Sequence, residues 1–408
     1  MAKILIITNG ALCRNPRIVK EATALGRAGY AVTVLGVNNH APSEAVDAGL
    51  MRGAPFRREV VNVLAPGLTG FRYRLSAWLA RKGTVALNWQ TPRGLGPVRA
   101  QLQRARTLEA DLTIVHNEGP HYIGTRLLAD GRRVCADIED WHSEDLMPQD
   151  RVSRPQRLLR QVEATLLNRC IHTTTTSLAL AEALQARYGG ARPHVITNSF
   201  PLQPAPAHPV TDQPPAFFWF SQTLGPGRGL EHFLAAWART TRPSRLVLLG
   251  EARRGFDENV RERLPERLRA QVSLLPLVPP GDLPALIARH DIGLALEQTF
   301  IVNRNLIITN KIIQYLNAGL AVVASDTAGQ REVLARDPRA GIVVETHETT
   351  AFARALDELI ADRAALAARQ QAARRLAEDV YCWEREEPRL LELVARALRA
   401  KPTATQNA

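Results

Sequence analysis

Short apolar runs alternate with helix-periodic stretches along almost the whole chain, and a cluster of prolines breaks the pattern once. Strand-like runs fall at Lys3 to Thr8, Ala31 to Val37, Glu59 to Leu64, Asp111 to His116, Arg133 to Ile138, Ile171 to Thr176 and His194 to Thr197. They resume at Phe217 to Ser221, Arg245 to Leu249, Val272 to Leu277, Ile292 to Leu296, Ala321 to Ser325 and Gly341 to Val344. Parallel strands need helical crossovers, and strands covered on both faces are apolar throughout, so this βα repetition predicts an α/β protein with doubly wound parallel sheets. From Pro201 to Pro215 proline is too dense for a sheet, which predicts a linker at 201–215 between a first domain at 1–200 and a second at 216–378. A last helix is expected within 379–400, and a disordered tail from Lys401.

A length of 408 residues exceeds what one core usually holds, which supports two domains. The apolar run Ile4 to Ile7 is too short for a signal peptide and reads as a first strand. No stretch of eighteen apolar residues occurs, so no membrane-spanning helix is expected and the protein is read as cytoplasmic. Cys13, Cys135, Cys170 and Cys382 are scattered without metal spacing, the pattern of buried reduced thiols. The formal charge of +12 is carried almost wholly by arginine, which favours acidic partners such as anionic lipid or phosphorylated small molecules. Aromatics make up only 5% and no nucleic-acid-binding motif accompanies the arginines, so nucleic acid is not expected as a partner.

Two segments of the second domain carry chemistry. After the run Phe217 to Ser221 come Gly225, Gly227, Arg228 and Gly229, then a helical period from Leu230 to Trp237. Glycines let backbone amides approach an anion, the helix start adds its positive dipole end, and Arg228 adds a charge, a combination suited to a diphosphate. The other segment, 310–326, reads as a short helix with Lys311 and Gln314 on one face, a left-handed stop at Gly319, and a buried strand from Ala321.

In this order and spacing, these segments resemble the nucleotide-sugar-binding half of GT-B glycosyltransferases of family 4, the group 1 enzymes. The likeness extends to Asn15 through Leu35 and to Thr174 through Ser199. It implies two Rossmann-like domains facing across a cleft, with the last helix returning to the first domain. It also implies that Arg228 and Lys311 neutralise the donor diphosphate. Two departures stand out. An arginine common five residues before the first basic residue is here Thr223, and the paired glutamates of the family fall on Leu306 and Gln314. Gln314 can still bond ribose hydroxyls, and Glu297, at the end of its strand, can supply a nearby carboxylate or be a solvated strand end.

In the first domain His116 ends a strand at the expected cleft edge, where it is either a hydrogen-bonding group near the reacting sugar or a structural histidine. Asp137, Glu139 and Asp140 form an acidic cluster after the next strand. Asp137 and Glu139 imitate a metal-binding DxD, but that motif belongs to a single-domain mixed-sheet fold, so no metal is expected. Glu139 or Asp140 can instead recognise acceptor hydroxyls or act as a base, and a loop cap is the plainer alternative. Phe71, Leu75, Trp78 and Leu79 share a helical face beside Arg72, Arg74, Arg81 and Lys82, which fits either contact with an anionic membrane or core packing.

These features give an expected glycosyltransferase that moves a sugar from a nucleoside diphosphate sugar to a hydroxyl of a glycan or lipid-linked saccharide. The resemblance implies retention of configuration, and no cofactor is expected beyond the donor substrate. A non-catalytic nucleotide-sugar-binding subunit, and an epimerase or hydrolase acting on the nucleotide sugar, are the alternatives.

Overall fold

The structure is a computed structural model that describes residues 1–204, 213–225 and 227–400. Most of the expected linker, 205–212, together with Pro226 and the tail 401–408, lies outside the described residues. The chain divides into two compact units, Met1–Ile196 with the chain from Glu387, and Thr197–Glu386.

The first unit is built on a seven-stranded sheet in the order β3-β2-β1-β4-β5-β6-β7. Its strands are β1 (Lys3–Ile7), β2 (Ala31–Asn38), β3 (Arg57–Asn62), β4 (Leu112–His116), β5 (Val134–Ile138), β6 (Thr173–Thr175) and β7 (His194–Val195), and every pair is parallel. Alternate residues of β1 feed two cores. Leu5 and Ile7 pack with Ile123 and Leu127 on one face, while Ile4 and Ile6 pack with Ile18, Ala22 and Leu25 on the other. Val394 and Ala397 of the last helix, Trp383–Arg399, complete that second core.

The second unit has a six-stranded parallel sheet in the order β10-β9-β8-β11-β12-β13. Its strands are β8 (Ala216–Leu224), β9 (Arg245–Ala252), β10 (Val272–Leu275), β11 (Ile292–Ala295), β12 (Ala321–Ser325) and β13 (Gly341–Val344). The period of two is again visible. Phe217, Trp219, Leu246, Leu248, Ala321 and Val323 face one core, and Phe218, Val247, Leu249, Val322 and Ala324 face the other. Each fully buried large side chain here is worth about 1.5–3 kcal/mol, so both faces of the sheet are strongly held.

The expected strands are all present, with shifted ends. β8 runs past Ser221 to Leu224 through an irregularity in its pairing with β9 between Phe220 and Thr223, which keeps polar Gln222 and Thr223 on the surface while the backbone stays paired. β6 is shorter than expected, and β3 starts two residues earlier. The last helix begins at Trp383 and contains Pro388. Gly319 has φ 67°, the expected left-handed stop after the helix Asn310–Asn317.

Both sheets reverse strand order once, between β1 and β4 and between β8 and β11. Crevices at the carboxyl ends of strands beside such reversals are where open α/β sheets bind ligands.

Candidate functional site

At the β8/β11 reversal the sequence folds tightly for stated reasons. Gly229, with φ +81°, starts the helix Leu230–Trp237, and a Cβ there would lie 3.2 Å from Leu296 Cβ and 3.7 Å from the backbone N and O of Glu297. The glycine turn therefore rests on the residues following β11. Gly227 also has positive φ, and its amide donates to Glu231 Oε1 at 2.7 Å. Arg228 is partly exposed and has no carboxylate partner among the described residues.

Lys311 reaches the same place from the helix Asn310–Asn317. It is 8% exposed, its Nζ lies 3.1 Å from Glu297 Oε1, and it stands 5.7 Å from the centre of the Trp219 ring. Glu297 is 5% exposed, and its amide donates to Ser325 Oγ at 2.6 Å. Gly225, Gly227, Arg228, Gly229, Glu297 and Lys311 are thus gathered at the ends of β8, β11 and β12. The solvated reading of Glu297 is corrected: it is buried because it is the counter-ion of a buried lysine. Gln314 is half-buried one turn along from Lys311, and Leu306, in the other position where the family carries glutamate, is partly exposed.

The β1/β4 reversal in the first unit holds a dense ionic network. Arg17 Nε and Nη2 each donate to Asp137 at 2.7 Å, and its Nη1 donates to the Ile196 carbonyl at 2.8 Å. Thr174 Oγ1 donates to Asp137 Oδ1 at 2.6 Å. His116 Nδ1 lies 3.1 Å from Asp137 Oδ2, and its Nε2 lies 2.6 Å from Glu21 Oε2. Burial alone would lower the His116 pKa, but the Glu21 charge and the bonds to Asp137 and Glu21 outweigh it and raise it to about 10. Burial alone would raise Asp137, but the Arg17 charge and the His116 bond hold it well below the usual carboxylate range.

Two sequence expectations change here. His116 is 2% exposed with both ring nitrogens on carboxylates, so it is held inside the unit and is not offered to a sugar. Asp137 is occupied by Arg17 on both oxygens, which removes it from the DxD pattern. Glu139 and Asp140 follow β5 and are partly exposed. Burial, assisted by the charges of Asp140 and Asp137 against those of Arg17 and His116, pushes Glu139 up to about 7. Arg17 and Glu21 were missed as members of a site. The available signal was a pair of charges four apart on the buried face of the amphipathic helix Pro16–Arg27.

The helix Leu68–Leu87 answers the question left by its pattern. Phe71, Leu75, Trp78 and Leu79 are 53%, 41%, 56% and 48% exposed, which excludes core packing within the described chain. No helix among the described residues is long and apolar enough to cross a membrane.

Two Rossmann-like parallel sheets, each with one reversal of strand order, are the arrangement of the GT-B fold. Residues 215–362, a little over a third of the chain, match the family described as glycosyl transferases group 1. Among solved structures it is similar to sucrose-phosphate synthase of Thermosynechococcus elongatus, with a TM-score of 0.71, 15% identity, and coverage of 98% of this chain and 100% of that one. It is also similar to HepE of Anabaena in complex with UDP and glucose, with a TM-score of 0.69, 18% identity, and coverage of 97% and 100%. A mutant of S. aureus TarM, in complex with fondaparinux, alpha-GlcNAc-glycerol and UDP, gives a TM-score of 0.69, 10% identity, and coverage of 98% and 100%. No curated protein matches the chain in sequence.

Proposed function

We propose that this protein transfers a sugar from a nucleoside diphosphate sugar to a hydroxyl of a glycan or lipid-linked saccharide, with retention of anomeric configuration. The observation that carries this reading is the meeting of the Arg228–Gly229 turn with the buried Lys311–Glu297 pair at the β8/β11 reversal. A cation beside a helix start stabilises a diphosphate, most of all when it departs as a leaving group. That diphosphate can itself accept the acceptor proton, so no protein nucleophile is needed. In the first unit Glu139 and Asp140 are the groups that bind acceptor hydroxyls, with the Arg17, Glu21, His116 and Asp137 network holding β4 and β5 in place. The exposed apolar face of Leu68–Leu87, with Arg72, Arg74, Arg81 and Lys82 beside it, supports peripheral contact with anionic lipid.

Leu306 and Gln314, in place of acids, favour one second reading, a subunit that binds the nucleotide sugar without turning it over. Both readings are tested by a donor panel led by UDP-sugars, since HepE and TarM were solved with UDP. Arg228→Ala is the clean variant, because Lys311→Ala would leave Glu297 buried without its partner at about 3–5 kcal/mol. A charge-assisted contact is worth about 1.5–3 kcal/mol, so the variant is expected to weaken donor binding roughly 10- to 150-fold. Unchanged affinity removes the diphosphate assignment. Donor binding without product across a broad acceptor panel selects the second reading.

A further inference from the structure

We infer that Arg304 is a further cation of the diphosphate site, an inference that rests on the donor reading above. The count of charges motivates it. Each phosphoryl group of a nucleoside diphosphate sugar keeps one ionised oxygen at neutral pH, so a matched site needs two uncompensated cations. Arg228 is one candidate, but the Glu231 carboxylate, which accepts from the Gly227 amide at 2.7 Å, stands at the same turn against it. Lys311 is not another, because the buried Glu297 carboxylate 3.1 Å from its Nζ cancels its charge. Thr223 is uncharged and contributes none.

Arg304 makes up part of the deficit. It lies on the short helix Val302–Leu306, which follows β11, and its Nη1 donates to the Gly227 carbonyl at 3.0 Å. It is partly exposed and makes no direct ion pair among the described residues. Its helix is tied down, since Asn305 Oδ1 accepts from the Ala328 amide at 3.1 Å. Before any ligand arrives the guanidinium is therefore held on the carbonyl of the residue preceding Arg228, and its remaining N–H groups stay available to an anion. Arg253 also lies near the turn, about where a Cβ on Gly225 would stand 3.5 Å from its Cδ and Nε. But Arg253 follows β9, on the flank of β8 away from the reversal, whereas Arg304 follows β11, on the reversal itself.

The test is calorimetry with the tightest binder among UDP, GDP and ADP, and with its parent nucleoside as the uncharged reference. Arg304→Gln keeps a donor for the Gly227 carbonyl and removes the charge. It is expected to weaken nucleotide binding about tenfold, leave nucleoside binding unchanged and flatten the salt dependence. Arg304→Lys retains most of the affinity, and Arg253→Gln binds as wild type does. Glu297→Gln uncovers the Lys311 charge, so the double variant Glu297→Gln with Arg304→Gln is expected to recover most of the loss. If Arg304→Gln weakens binding and the double variant does not recover it, the bond to Gly227 rather than the charge is what matters and the inference is overturned. If Arg304→Gln binds as wild type while Arg228→Ala is weakened, the inference alone fails. If neither variant weakens binding, the donor reading fails with it.

Discussion

Asp137→Asn changes one atom and preserves volume, so its cost is electrostatic and can be worked from the network around it. Wild type balances Arg17 and protonated His116 against Asp137 and Glu21, all buried. Asparagine leaves one of the two cations without a counter-charge and takes away the bidentate acceptor of Arg17. Breaking a buried pair by removing one partner costs about 3–5 kcal/mol. For a unit of this size each kcal/mol lowers the melting temperature about 2–4 °C, so the first unit should melt roughly 6–20 °C lower. Scanning calorimetry at pH 7 reads this, with Asp130→Asn, which breaks the exposed pair with Arg106, as a control expected to melt as wild type does. The folded pKa of Asp137 is depressed, so its contribution is full above its unfolded value of 3.8 and is lost as pH falls further. The gap between wild type and variant should therefore narrow in acid. The raised His116 acts in the opposite sense, with a contribution complete below 6.5 and lost as pH rises through about 10. A variant that melts within a degree of wild type at pH 7 would refute the idea that this network holds β4 and β5.

Gly229→Ala forces a left-handed residue to carry a Cβ that would meet Leu296 at 3.2 Å, at a backbone cost of roughly 1–2 kcal/mol. Weakened donor binding with a melting temperature lowered by roughly 2–8 °C is the expected result, and unaltered affinity would separate the turn from the ligand. For Glu139 the folded pKa of about 7 exceeds its unfolded 4.5, so wild type loses stability as pH rises between these values. Glu139→Gln should gain in melting temperature relative to wild type from pH 4.5 to 8, and a pH-independent difference would count against it. Replacing Phe71 and Trp78 by serine should reduce co-sedimentation with phosphatidylglycerol vesicles without lowering the melting temperature. Equal sedimentation of both proteins would reject membrane contact through this helix.

The elements most legible in the sequence were those whose neighbours are local. The β12 strand is an uninterrupted apolar run, the helix before it has its polar pair and its glycine stop within ten residues, and the turn at 225–229 announces itself by glycine and arginine together. What the sequence did not disclose depends on contacts between distant positions. Arg17 and Asp137 are 120 residues apart, Arg304 and Gly227 are 77 apart, and neither pair leaves a local pattern. The ion pair of Lys311 with Glu297 was hidden for another reason. Both residues read in the sequence as candidates for the same ligand, but only burial shows that one neutralises the other. Strand ends shifted where polar residues such as Gln222 and Thr223 stay in register through an irregularity that periodicity does not signal.

The donor assignment meets its most direct check in an experimental structure of the protein with a bound nucleoside diphosphate. The diphosphate should lie at the β8/β11 reversal, with its oxygens in hydrogen-bonding reach of the Gly229 amide and the Arg228 guanidinium. A diphosphate found elsewhere, or an Arg228 side chain turned away from it, would contradict the assignment.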